Sequence, residues 1–216
     1  MKNKTRNFID LILNALIILS TVWAVRLYYI SAPDALGSVS NASFKYFTTD
    51  SNILVAIAAL VMMVFNIIRL FKADTVIPKW VSVFKYAGTS AVTLTLLTVV
   101  FFLGPVFSIH GGIQAYFHMF EGNTFALHFS TPVLAIISLI FFEKDNSFNV
   151  RDCFIACLPS YIYSLVYFSM VVCLRKWPDW YGFTFGGKLF MIPVSLITMY
   201  IATFAISAAL RKLRKV

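Results

Sequence analysis

Apolar residues run along this chain in six long blocks, each bounded by short polar or Gly/Pro-rich punctuation. The blocks are Phe8–Ile30, Phe47–Phe71, Val81–Leu103, Thr124–Phe142, Asp152–Leu174 and Leu189–Leu210. Each is close to the roughly 20 residues that a helix needs to cross the hydrocarbon core of a bilayer. No block alternates apolar and polar residues with period two, so a membrane barrel is not indicated. An unpaired backbone group is costly in hydrocarbon, which leaves the helix as the spanning form. The pattern therefore predicts an all-α integral membrane bundle of six transmembrane helices, making one domain over residues 1–216. Ser31-Ala32-Pro33-Asp34 closes the first block, Pro78 precedes the third, and Gly104-Pro105 ends it. Glu143-Lys144-Asp145-Asn146 makes the turn after the fourth, and Trp177-Pro178-Asp179-Trp180 with Gly186-Gly187 brackets the loop before the sixth.

Composition agrees. The chain is 60% hydrophobic and 12% charged, with a mean hydropathy of +0.82, against about 45–50% and about 25% for soluble domains. Six spans in 216 residues leave only short loops, with no room for a separate catalytic module. The basic N-terminus followed by an apolar run resembles a signal peptide. That run exceeds the usual h-region of about 7–15 residues and has no small-x-small cleavage site, so it is expected to stay as the first span.

The net charge of +9 is placed rather than spread. Lys2, Lys4 and Arg6, then Arg69, Lys72 and Lys79, then Arg211, Lys212, Arg214 and Lys215 fall on one side of a six-span scheme. The other side has only Lys45 in the 31–46 segment and no Lys or Arg in 104–123. This bias predicts cytoplasmic termini. Cations at span ends are topology signals attracted to anionic lipid, so nucleic acid is not the expected partner. Arg175, Lys176 and Lys188 break the rule beside Trp177, Trp180 and Tyr181, and are candidates for holding an anionic headgroup.

Polar residues inside spans are expensive and mark candidate chemistry. Lys45-Tyr46-Phe47-Thr48-Thr49-Asp50-Ser51-Asn52 opens the second span, with Thr48 and Asn52 on one helix face and Ser51 beside them. Capping of the helix by Thr49 or Asp50 is the bland alternative. His128 opens the fourth span and shares a face with Thr131 and Pro132. Alone, an intramembrane histidine is more often a structural hydrogen-bonding group than a functional one. Both clusters begin spans on the same side, so they fall at one depth. A Thr hydroxyl needs a base to become a nucleophile, and imidazole suits that task, with Asp50 available to orient it. Thr89, Thr93, Thr95 and Thr98 in the third span read as structural, and Cys153 and Cys157 as small buried residues rather than metal ligands. His110 and His118 lie in the 104–123 segment as surface groups. No zinc spacing, phosphate loop or Gly-x-Ser-x-Gly elbow is present, so no metal or other cofactor is expected.

The segment Phe47-Thr48-Thr49-Asp50-Ser51-Asn52, the stretch Val92 to Pro105, and Leu127-His128 with Pro132 together resemble the androgen-induced/androgen-dependent TFPI-regulating membrane proteins. They resemble most their bacterial relatives, the Pr6Pr six-transmembrane family. Two features depart from the family pattern: Phe125 and Ala126 precede Leu127-His128, and Trp177 to Phe183 matches its Tyr/Pro-rich segment loosely. The resemblance implies a threonine-dependent intramembrane hydrolase of lipid esters of the fatty acid–hydroxy fatty acid type. Thr48 would be the nucleophile and His128 its partner, with membrane lipid as substrate and a bacterial cytoplasmic membrane as its setting. An acyltransferase using the same site, or a non-enzymatic lipid-binding or transport protein, are the other expectations.

Overall fold

A computed structural model describes residues 2–30 and 40–215. The turn Ser31 to Asp34 and the side chain of His110 lie outside the described residues. All described elements are helical. The first span is α1 (Lys2–Ile30) and the second α2 (Phe47–Phe71). The third joins α3 (Lys79–Thr98), a π turn Val99–Leu103 and α4 (Gly104–His118). The fourth runs through α5 (Gly122–Phe125), a π turn Ala126–Ser130, α6 (Thr131–Ile137) and a second π turn Ser138–Phe142. The fifth is α7 (Val150–Phe168) with a π turn Ser169–Cys173, and the sixth is α8 (Ile192–Lys215) behind a 3-10 turn Leu189–Met191. Six of these stretches are long and apolar enough to cross a membrane: Lys4–Tyr28, Phe47–Phe71, Lys79–Ile109, Gly122–Phe142, Val150–Cys173 and Leu189–Arg214.

The first helix starts before its apolar block, at Lys2, and the last runs beyond its own to Lys215, but the third span departs most from expectation. Gly104-Pro105 does not end the third helix, which continues through both residues and is interrupted only at Gly112, whose φ is 71°. The π turn explains this. Gly104 N–H reaches back to the Val99 carbonyl, five residues away. Pro105 lacks the N–H that would next serve Val100, and the Tyr116 hydroxyl donates to that carbonyl at 3.4 Å instead. The proline's missing donor is replaced by a side chain from the same helix.

The third span is the centre of the bundle. α3 packs against α2, α6, α7 and α8, while α1 closes against α2 and α6. One apolar core joins Ile17, Val55, Ala59, Val92 and Ala135, and a second joins Val83, Tyr86, Leu139, Phe148, Cys153, Ala156 and Leu210. Thr89 and Thr93 bond back to the carbonyls of Lys85 and Thr89 at 2.9 and 2.7 Å, which hides their hydroxyls within the helix. Cys153 and Cys157 are buried, in sulfur contacts with the Tyr86 and Ser207 hydroxyls at 3.3 Å. Leu19, Ile57, Leu60, Ile162 and Ile201 are exposed on four of the spans, apolar surface suited to lipid tails.

α2 and α3 meet most closely at Gly88, where an added Cβ would lie 2.8 Å from Val55 Cα. Small residues permit this kind of backbone approach between membrane helices. Gly88→Ala is therefore expected to cost about 1–3 kcal/mol through overpacking. A thermal midpoint in detergent as high as that of the unaltered chain would show that the contact is looser.

Candidate functional site

The start of α2 is not capped by Thr49 or Asp50. Tyr46 occupies the cap position without a side-chain bond, and the Phe47 N–H donates to the Tyr181 hydroxyl at 3.1 Å. Released from capping, the polar residues face two ways. Phe47, Asp50, Ser51 and Leu54 line a large groove, and the Ser51 hydroxyl also pairs with that of Thr95 at 3.0 Å. Asn52 turns to the fourth span. Its Nδ2 donates to the Thr48 carbonyl at 2.7 Å and to the Leu127 carbonyl at 3.0 Å. The backbone of Thr48 is thereby tied to the residue beside His128.

The Leu127 carbonyl is available because of Pro132. In the π turn, the Thr131 N–H bonds to Ala126, one residue further back than in an α-helix. The next donor in that register would be residue 132, which is proline and has none. Asn52 fills the gap. The same turn holds His128, 2% exposed, with Nδ1 2.6 Å from the Met119 carbonyl. A carbonyl only accepts, so Nδ1 carries the hydrogen and Nε2 is the basic nitrogen of the neutral ring. Thr131 is fully buried but faces α1, donating to the Ser20 hydroxyl at 2.9 Å. The structure thus links the Thr48 backbone, through Asn52, to the turn that holds His128. Asp50 and Ser51 lie on the groove side of α2, and Thr131 on the α1 side.

The groove has a volume of about 1010 Å³ and lies between α2, α3 and α7. Leu54, Phe84, Ile155, Leu158 and Ile162 make its walls. Phe47, Asp50 and Trp177 stand at one end, Lys79, Arg151 and Asp152 at the other. Along α7 the distance from Arg151 to Val166 is about 22 Å at 1.5 Å per residue, most of the depth of a bilayer.

Over the first end lies a cap of aromatic rings. Tyr167 packs against Trp180, Tyr181 and Phe183, with centroids 5.1–5.3 Å apart. Asp179 organises it, accepting from the Tyr167 hydroxyl at 2.9 Å, the Phe183 N–H at 2.9 Å and the Thr184 N–H and hydroxyl at 2.7 and 2.6 Å. Burial pushes the Asp179 carboxyl up, but these donors outweigh it and hold the group below its ordinary value of 3.8. Arg175, Lys176 and Lys188 flank this loop and are exposed.

A second polar cluster, which the sequence reading missed, sits at the end of the bundle that carries both termini. Lys85 is wholly buried and Glu143 is 2% exposed, with Nζ and Oε1 3.0 Å apart. Asp10, Asn14, Asn66 and Ser138 surround them, all buried. The signal was available: a lysine inside the third block and an aspartate inside the first are costly placements in hydrocarbon.

Compared with family models, curated proteins and solved structures, the chain matches none. Fold and site define an all-helical protein with six membrane-length apolar helices.

Two outcomes follow from this geometry. Asn52→Ala strands the buried Leu127 carbonyl and should cost about 1–3 kcal/mol, and Pro132→Ala in that background should recover part of the loss by supplying an N–H. Equal thermal midpoints for the single and double variants would break the assignment. For Asp179, a depressed folded-state value means that its contribution is full above about 3.8 and is lost as pH falls through the lower folded value. Emission from Trp177 and Trp180 should therefore change below that pH in the unaltered chain, and the transition should vanish in Asp179→Asn.

Proposed function

We propose that this is an intramembrane, threonine-dependent hydrolase of lipid esters, a multi-pass protein of a bacterial cytoplasmic membrane with both termini in the cytoplasm. The observation that carries the reading is the Asn52 bridge, which joins the Thr48 carbonyl to the Leu127 carbonyl next to His128. The family resemblance in the same residues supports it. In this mechanism the Thr48 hydroxyl attacks the ester carbonyl while His128 Nε2 takes its proton, and the imidazolium then returns that proton to the leaving alkoxide. Water hydrolyses the acyl-threonine. The acyl chain is apolar, and the groove lined by Phe47, Asp50, Ser51 and Leu54 of the same helix has the apolar walls to receive one. Arg175, Lys176 or Lys188 would hold an anionic headgroup at the capped end.

A second reading, a lipid-binding or transport protein without chemistry, is favoured by one specific fact. The groove lines the face of α2 that carries Asp50 and Ser51, and Thr48 is not among its lining residues. An acyltransferase with the same nucleophile is separated by product analysis with added lysophospholipid.

Thr48→Ala should lower ester turnover in detergent by at least about 100-fold, the scale of one lost acid–base or nucleophilic partner, with Thr48→Ser retaining activity. His128→Gln should lower it to a similar extent. Full turnover in Thr48→Ala ends the hydrolase reading. Saturable fatty-acid binding with no turnover in the unaltered chain would install the second.

A further inference from the structure

The cluster beneath Lys85 is built from four elements, and its hydrogen bonds close only with an extra proton. Lys85 Nζ meets Asn14 Oδ1 from α1, Ser138 Oγ from the fourth span at 3.4 Å, and Glu143 Oε1 at 3.0 Å. These three partners match the three donors of an ammonium. Ser138 Oγ also lies 2.7 Å from Asp10 Oδ1 and 2.6 Å from Glu143 Oε1. A hydroxyl has one hydrogen and donates it once. The second of these short oxygen–oxygen contacts needs a hydrogen from the carboxyl itself. Glu143 Oε1 already accepts from Lys85, so the Ser138 hydrogen goes to Glu143 and the extra hydrogen sits on Asp10 Oδ1. Asp10 Oδ2 is then a carbonyl oxygen, accepting from Asn66 Nδ2 at 2.7 Å.

Charge is in keeping with one added proton. Two carboxylates beside one ammonium, all 0–3% exposed, crowd like charge away from water, and the next cation, Arg214, spends its donors on the Glu143 and Asn146 backbone carbonyls rather than on either carboxylate. Glu143 Oε2 is buried with no hydrogen-bond partner, an acceptor into which the proton can also move.

A route to it exists. A cavity of about 120 Å³ reaches Asp10 and Asn66 and is lined by Lys4, Arg6, Asn7, Arg69 and Asp145 among others. Arg69 bonds Asp145 at 2.8 Å and Arg6 lies 3.6 Å from it, so this entrance is lined by charged groups. From the far side α8 contributes Arg214, which donates to the Glu143 carbonyl, and Lys144 completes the charged groups around the cluster.

We propose that Asp10 and Glu143, bridged by Ser138 and neutralised in part by Lys85, form a binding site for one exchangeable proton, loaded through this cavity. A concerted relay through Ser138 passes the proton between the carboxyls: the O–H bond on Asp10 breaks as one forms on Ser138 Oγ, and Ser138 gives its own hydrogen to Glu143. No other reactant is needed. The site is independent of Thr48 and His128.

Infrared spectra of the full chain in detergent at neutral pH test this through the carbonyl stretch of a protonated carboxylic acid. The unaltered chain should show the band, and transfer to D2O should shift it. Asp10→Asn and Glu143→Gln should each abolish it, because one carboxylate and one ammonium then balance, while Asp50→Asn leaves it in place. Lys85→Met should raise it about two-fold, both carboxyls now being neutral. A missing band, a band unchanged in Asp10→Asn, or a band that D2O does not move each overturns the proposal.

Discussion

One ammonium group inside the bundle sets the terms for the rest of the structure. Lys85 lies about 9 Å along α3 from Lys79, at 1.5 Å per residue, and is wholly buried. Its three partners come from α1 and from the fourth span, and its own helix is the central one. Burying such a charge is tolerated only when every donor is met and opposite charge stands close. Those demands recruit Glu143 at the end of the fourth helix, and Arg214 of α8 donates to its carbonyl. Asp10 and Asn66 then extend the network to α1 and α2. Thus α1, α2, α3, the fourth span and α8 are fixed to one another by a polar knot before apolar packing is counted.

The cost of an unmet polar group away from water also shapes the backbone. The π turns before Pro105 and Pro132 each carry the ladder five residues back, and the proline then interrupts the next bond. In both places a side chain supplies the missing donor: Tyr116 to Val100, Asn52 to Leu127. These are different solutions to one problem. The first is internal to the third span. The second links two spans, and so converts a backbone defect into a positioning device for the residues on either side of it.

How much of this the sequence displays follows from the same physics. The six spans are legible because hydrocarbon demands long apolar runs, and α2 begins and ends where its block does, at Phe47 and Phe71. The continuation through Gly104-Pro105 is not legible, since these residues stop helices unless a π turn and a distant tyrosine compensate. Thr48, Asn52 and His128 share a depth that counting crossings exposes, but not the division of α2 into two faces, which depends on how α7 stands off from it to open the groove. Lys85 and Asp10 are visible as charges within apolar blocks. Glu143 is hidden, because it reads as part of an ordinary polar turn until the helix ahead of it is seen to end in a π turn that carries its N–H back to the Ser138 carbonyl.

The fourth helix carries a π turn at each end, one holding His128 and the other beginning at Ser138. Residues of π turns project at angles that a regular α-helix does not offer, which is one reason these turns recur at functional sites. Here the two turns, with only α6 between them, serve opposite ends of the bundle. One presents an imidazole beside the polar start of α2. The other places Ser138 between two carboxyls. A helix wound regularly from Gly122 to Phe142 would shift His128 relative to Ser138 by the part-turn that the first π insertion adds, and Ser138 relative to Glu143 by that of the second. The irregularity of this helix is therefore what lets one element contribute to both polar sites.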